Sequence, residues 1–156
     1  MNTRILFLII CIFIAGCGSV EVCEDEYVSE LVARFKSEQD GEIADSTVNA
    51  LTLYGIREGL SDSLLYDAAS VSGFTVPLDP HHDFSSFVMQ IDTLTDTLHV
   101  HYDHEVYMIS YSCGFASLFT LDKLETVSGL ILKDTIINDM IDAAYEDNEE
   151  HIWLYL

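Results

Sequence analysis

Three of the six histidines in this chain crowd into six residues, His99-Val100-His101-Tyr102-Asp103-His104. On an extended strand His99 and His101 face the same way, and neutral imidazoles two positions apart can reach one zinc or copper ion. His104, from an adjoining turn at Asp103-His104, would supply a third ligand. The competing reading starts from Leu98, Val100 and Tyr102, which alternate with the histidines as the buried side of a strand and leave the imidazoles outside. A two-residue turn would set His101 opposite Val106 and His99 opposite Met108, apolar neighbours that offer no further ligand. Exposed strand histidines are the simpler reading, and no cofactor is expected. His81-His82-Asp83 is a second cluster, but adjacent residues of an extended segment point apart.

Catalytic signatures are missing. There is no Gly-x-Ser-x-Gly elbow, phosphate-gripping glycine loop, His-Glu-x-x-His helix or Gly-x-Gly-x-x-Gly turn. Among 27 acidic residues nothing singles out a glycosidase-type carboxylate pair. No residue is assigned a catalytic role, and a binding or accessory module is favoured over an enzyme of glycan or peptide. Tyr102, Tyr107, Tyr111, Phe115 and Phe119 suit a carbohydrate- or peptide-binding face, although most are more simply explained as core.

The N-terminus is the most explicit part of the chain. Arg4 precedes an apolar run from Ile5 to Ala15, too short to span a bilayer and of the length of a signal-peptide core. Ile14-Ala15-Gly16-Cys17 resembles a bacterial lipobox, which predicts removal of residues 1–16 and lipidation of Cys17. Residues 17–25 then form a short tether and 26–156 a single domain. Loss of Arg4 leaves 27 acidic against five basic residues, a formal charge of −22. Such a surface repels nucleic acid and anionic headgroups, so the lipid must hold the protein to its membrane. Gly18-Ser19 lacks the aspartate that retains some lipoproteins at the inner membrane, which favours the outer one; periplasmic and surface-exposed placement stay open.

With Cys11 lost and Cys17 acylated, Cys23 and Cys113 remain. An even pair in an oxidising compartment is naturally read as a disulfide, with two free thiols or a metal pair as alternatives. Closing so long a loop is worth up to ~4–5 kcal/mol in the chain-entropy description.

Positioning all of this is a chain with period-two patterning. Leu31, Ala33 and Phe35 share one face; Leu51 and Leu53, then Phe87, Met89 and Ile91, then Leu98, Val100 and Tyr102, do the same. Strands are predicted over 31–36, 47–54, 63–67, 73–78, 86–92, 96–102, 106–111, 115–121, 125–132, 131–138 and 151–156, with a helical turn after 138. Hairpins turn at Thr93-Leu94-Thr95 and at Asp103-His104. Pro77 and Pro80 mark a strand leaving its sheet, and Trp153-Leu154-Tyr155-Leu156 a terminal strand with an open edge. This predicts an all-β antiparallel β-sandwich, immunoglobulin-like in kind, with a closed barrel as the second choice.

Several stretches point further. Thr52-Leu53-Tyr54-Gly55-Ile56, Asp62-Ser63-Leu64-Leu65-Tyr66-Asp67, Val76-Pro77-Leu78-Asp79-Pro80, Tyr107-Met108-Ile109-Ser110, Cys113-Gly114-Phe115 and His151-Ile152-Trp153-Leu154-Tyr155-Leu156 together resemble an uncharacterised lipoprotein family of the Bacteroidota, domain of unknown function number 6452. The resemblance implies export as a lipoprotein and pairing of Cys23 with Cys113, and it brings no activity. Five triplets are also similar to a glycosylation signal of those bacteria, with acceptors Ser46, Ser63, Thr93, Thr97 and Thr135. An acid at a turn followed by a β-branched residue is equally how strands begin. The expected partners are the membrane, through lipid, and an envelope protein. Replacing Cys17 with Ser should move the protein from the membrane to the soluble fraction; full membrane retention of that variant would refute the anchor.

Overall fold

Alternating residues of distant segments meet in one core. In the computed structural model the described residues are 28–56, 61–143 and 149–156; residues 1–16, on which the expected signal falls, and Cys17 and Cys23 lie outside them. Eleven strands are present among these residues: β1 (Glu30–Gln39), β2 (Glu42–Asp45), β3 (Val48–Ile56), β4 (Ser63–Val71), β5 (Gly73–Pro77), β6 (Phe84–Ile91), β7 (Leu94–Ser110), β8 (Gly114–Thr126), β9 (Lys133–Ile136), β10 (Met140–Asp142) and β11 (Ile152–Tyr155). One sheet runs β10-β8-β7-β6-β3-β4. The other runs β2-β1-β11-β9, with β5 also on β1. The sheets pack face to face as a β-sandwich: Leu31, Phe35, Val76 and Leu154 from one meet Leu51, Leu53, Met89, Leu98 and Val100 from the other. Each such side chain contributes ~1.5–3 kcal/mol by leaving water.

β1 is the spine of the smaller sheet. Its first half pairs antiparallel with β5 and its second half with β2, while its opposite edge carries β11 in parallel. Gly73 allows the β5 contact, because a Cβ there would lie 2.1 Å from the Ala33 carbonyl oxygen. On the outer face Lys36 is nearly buried, 2.6 Å from Asp45, 3.3 Å from Glu150 and 4.5 Å from the centre of the Trp153 ring. β11 lies between β1 and β9, so the expected open edge at the C-terminal strand is absent.

Three further expectations are corrected. Asp103-His104 is not a turn. β7 continues to Ser110, with Asp103 opposite Thr120 and His104 opposite Phe119, and a register slip at His101/Tyr102 absorbs the irregularity. The reversal comes at residues 111–113, where Gly114 at φ +76° takes a conformation costly for other residues. The β6–β7 hairpin turns at Asp92-Thr93, with Ile91 paired to Leu94 and Asp92 at φ +54°. Finally, strand 125–132 does not exist as such: β8 ends at Thr126, and β10 takes the place of the helical turn expected after 138.

Between Thr126 and β9 the chain crosses from the larger sheet to the smaller around the carboxylate of Asp96. Asp96, 1% exposed, accepts five backbone N–H bonds: Thr97 (2.7 Å), Val127 (3.0 Å) and Ser128 (2.7 Å) on Oδ1, Leu130 (3.0 Å) and Ile131 (3.2 Å) on Oδ2. Burial works to raise its pKa, but the bonds from Ser128, Ile131, Thr97 and Val127 outweigh it and hold the group below the usual carboxylate range. Its stabilisation is therefore complete above the unfolded-state value of about 3.9 and is lost as pH falls through the lower folded-state value. Asp96→Asn, which turns an NH₂ toward two N–H donors, should cost about 2–4 kcal/mol in urea unfolding at pH 7. The difference from the parent protein should shrink as the parent's Asp96 becomes protonated.

Candidate functional site

Between the end of β3 and the start of β6 the surface opens into a cavity of about 720 Å³, walled on one side by Leu78 to His82 of the loop before β6. Ile56, Pro77, Leu78, Pro80, Phe84 and Phe87 supply its apolar lining, and Asp79, His81, His82, Ser85 and Ser86 its polar groups. Pro77 ends β5, and Pro80 keeps the following segment from extending the strand.

The loop is held from beneath by Tyr102. The Tyr102 hydroxyl lies 2.7 Å from Ser85 Oγ, donates to the Asp79 carbonyl at 3.0 Å and accepts from the Asp79 N–H at 3.1 Å. Its backbone N–H reaches the Asp83 carbonyl at 3.0 Å. Burial pushes the Tyr102 phenol above its ordinary pKa, so it stays a neutral donor. The ring itself belongs to the core, edge-on to Phe119 at 5.1 Å. Asp79 closes the loop from above, accepting from the His81 N–H at 2.9 Å and meeting His82 Nδ1 at 3.1 Å. Its partial burial favours the neutral form, yet the bonds to His81 and His82 prevail and lower its pKa.

The three histidines first considered as ligands do not form one set. His99 and His101 share the outer face of β7, but His104 follows the alternation of Val100 and Tyr102 on the other side, with its ring 6.2 Å from Phe119. His99 Nδ1 is 2.7 Å from Ser86 Oγ. His101 is opposite Phe84 and Lys123, not Val106, and its ring lies 6.0 Å from that of Phe84. Its Nε2 is shut off from water, 3.5 Å from Glu125 Oε2 and without a hydrogen bond. Among the described residues no three His, Cys, Asp or Glu side chains gather as a metal set.

Ser86 and His99 have the spacing of a nucleophile and its base, beside the cavity. A working pair also needs a group orienting the base and donors for an oxyanion. The carboxylate that the register puts opposite His99, Glu125, is engaged by Lys123 and lies near His101. Ser86 sits mid-strand, paired to Ile56 on one side and His99 on the other. The contact satisfies the buried Ser86 hydroxyl and the half-buried His99.

A family model described as "Family of unknown function (DUF6452)" matches residues 50–156. The chain belongs to this family. The matched part holds the cavity, Tyr102 and Asp96. No curated protein and no solved structure matches the chain.

The other expected sites are dispersed. Thr93, in the β6–β7 turn, and Ser63, opening β4, are exposed; Ser46, Thr97 and Thr135 are half-buried. The acids before two of them have other work, Asp45 on Lys36 and Asp96 on the crossover. Of the aromatic residues, Tyr102 and Phe119 are core, whereas Tyr111 and Phe115 stand exposed at the β7–β8 reversal. Cys113 lies in that reversal, its N–H bonded to Ser110 Oγ at 3.0 Å; Cys23 lies outside the described residues. The cavity escaped sequence reading because it needs three segments brought together, although Pro77-Leu78-Asp79-Pro80 before an exposed Phe84 is a local sign of it. Tyr102→Phe should keep the core and lose the loop anchor. A drop of about 1–2 kcal/mol in stability is expected, with faster exchange of the Asp79 amide hydrogen. Unchanged exchange at Asp79 would show that the loop does not depend on this hydroxyl.

Proposed function

We propose that this protein is an envelope lipoprotein, acylated at Cys17 and held at the outer membrane, that works as a binding module through the cavity beside Leu78–Asp83. The observation that carries this reading is the cavity itself. A volume of about 720 Å³ with largely apolar walls and a few fixed polar groups has the dimensions and chemistry of a ligand pocket. Its lining suits a compact apolar or aromatic group carried on a peptide or glycan, with His81, His82 and Ser85 available for polar contacts. The strong negative charge of the chain favours neutral or cationic partners.

The Cys23–Cys113 disulfide is part of the proposal. Ser29 Oγ donates to the Ser117 carbonyl, so the chain enters the domain beside the β7–β8 hairpin. The six peptide steps from Cys23 to Ser29 span up to ~20 Å, against ~13 Å for the extended chain from Ser117 back to Cys113. Glycan attachment, where it occurs, is best accommodated at Thr93 and Ser63, the exposed acceptors.

The second reading, an envelope enzyme acting on glycan or peptide, draws on the Ser86–His99 contact. Labelling of Ser86 by a fluorophosphonate, lost in His99→Ala, would support it over binding alone. For the binding reading, a photo-crosslinking phenylalanine at Phe84, 42% exposed on the cavity wall, should capture one discrete partner in cells. Ile56→Glu, a change at another exposed wall residue, should cut that adduct by ~10-fold or more. An adduct indifferent to Ile56→Glu, or none, would contradict a role for the cavity.

A further inference from the structure

The β7–β8 hairpin outgrows the sandwich. β6 ends opposite His101, so from Asp103 onward β7 has only β8 beside it among the described strands. β10 touches β8 no further out than Leu118. The two-residue alternation that buries Val100, Tyr102, Phe119 and Leu121 continues outward into Val106, Met108, Ser117 and Phe115, where no strand among the described residues covers it: Val106 is 61% exposed, Met108 49% and Phe115 69%. Tyr111 at the reversal is 99% exposed.

Composition sets this segment apart. Val106 to Leu121 is a run of sixteen residues with no Asp, Glu, Lys or Arg, in a chain where one residue in five is charged. An exposed, uncharged apolar face edged by tyrosine is unsuited to water and suited to the boundary between headgroups and acyl chains. Where the chain enters the domain identifies the occupant. Ser29 donates its hydroxyl bond to Ser117, on the same hairpin, and only eleven residues separate Ser29 from Cys17. Twelve peptide steps span at most ~40 Å, so an acylated Cys17 keeps this hairpin within reach of its own bilayer.

We infer that the outer end of the β7–β8 hairpin is a membrane-contact surface, in which Val106, Met108, Tyr111 and Phe115 seat at the lipid interface beside the acylated N-terminus. The inference rests on the lipid anchor proposed above. Lipid and hairpin together make two attachment points and fix the domain's orientation, which one flexible tether cannot do. Nine residue steps along β7 lead from Ser110 back to His101, the partner of Phe84 on the cavity wall, so the cavity stands ~30 Å back from the reversal.

The test uses the acylated full-length protein in phosphatidylethanolamine–phosphatidylcholine vesicles with brominated acyl chains. The chain has a single tryptophan, Trp153, so Tyr111→Trp adds one reporter at an exposed position. The added emission should be quenched by at least about half, while Trp153 emission in the parent protein stays unchanged. A protein that floats with the vesicles but whose added emission is unquenched overturns the inference and leaves the anchor standing. A protein that does not float removes the anchor, and the inference with it. Burial of the reporter that depends on protein concentration and ignores brominated lipid would assign the face to a second copy of the chain, which also overturns the inference.

Discussion

The fold turns on a buried carboxylate. Asp96 sits near the start of the long strand β7, and its two oxygens hold the backbone of the segment that leaves the larger sheet for the smaller one. That crossover has no regular partner of its own, and buried N–H groups without acceptors would each cost about 1–3 kcal/mol. A single ionised side chain removes that cost at four positions in the loop and a fifth next to itself. With the crossover set, Ile131 is buried, β9 lies along β11, and β11 is held parallel to β1. His151 strengthens the same junction, since its Nδ1 accepts from the Val32 N–H at 2.9 Å and its own N–H donates to the Val32 carbonyl at 2.9 Å.

The same long strand links the regions argued to have a function. Asp96 near one end of β7 holds the crossover, Tyr102 midway carries the loop over the cavity, and the far end runs out into the uncharged hairpin. A rigid ladder with β8 along this length keeps the three in fixed relation. The binding reading and the membrane-contact reading thus draw on one mechanical element, and a bound partner would meet a pocket whose distance from the bilayer is set by strand geometry.

Much of this was legible from alternation. Leu31, Ala33 and Phe35, or Leu98, Val100 and Tyr102, could be assigned to one side of a strand because a half-buried strand leaves no other arrangement for them. Asp103-His104 misled because a polar pair between apolar runs has the composition of a turn, whereas its place is the point where β7 leaves the core and both residues meet water. Asp96 was legible only as an acid before a threonine; its five donors come chiefly from a segment more than thirty residues later. The parallel β1–β11 pair joins segments near opposite ends of the chain, and local patterning carries no record of such a pairing. The separation of His104 from His99 and His101 followed once the expected turn became continuous strand.

The dependence of the crossover on an ionised Asp96 can be measured at the atom concerned. Residue-specific NMR titration of the Asp96 side-chain carboxyl carbon in the folded protein should give a midpoint below the ordinary value of about 3.9, with the amide signals of Val127, Ser128, Leu130 and Ile131 shifting in step. A midpoint at or above that value, or a titration those four amides do not follow, would mean that the charge is not what holds the crossover between the two sheets.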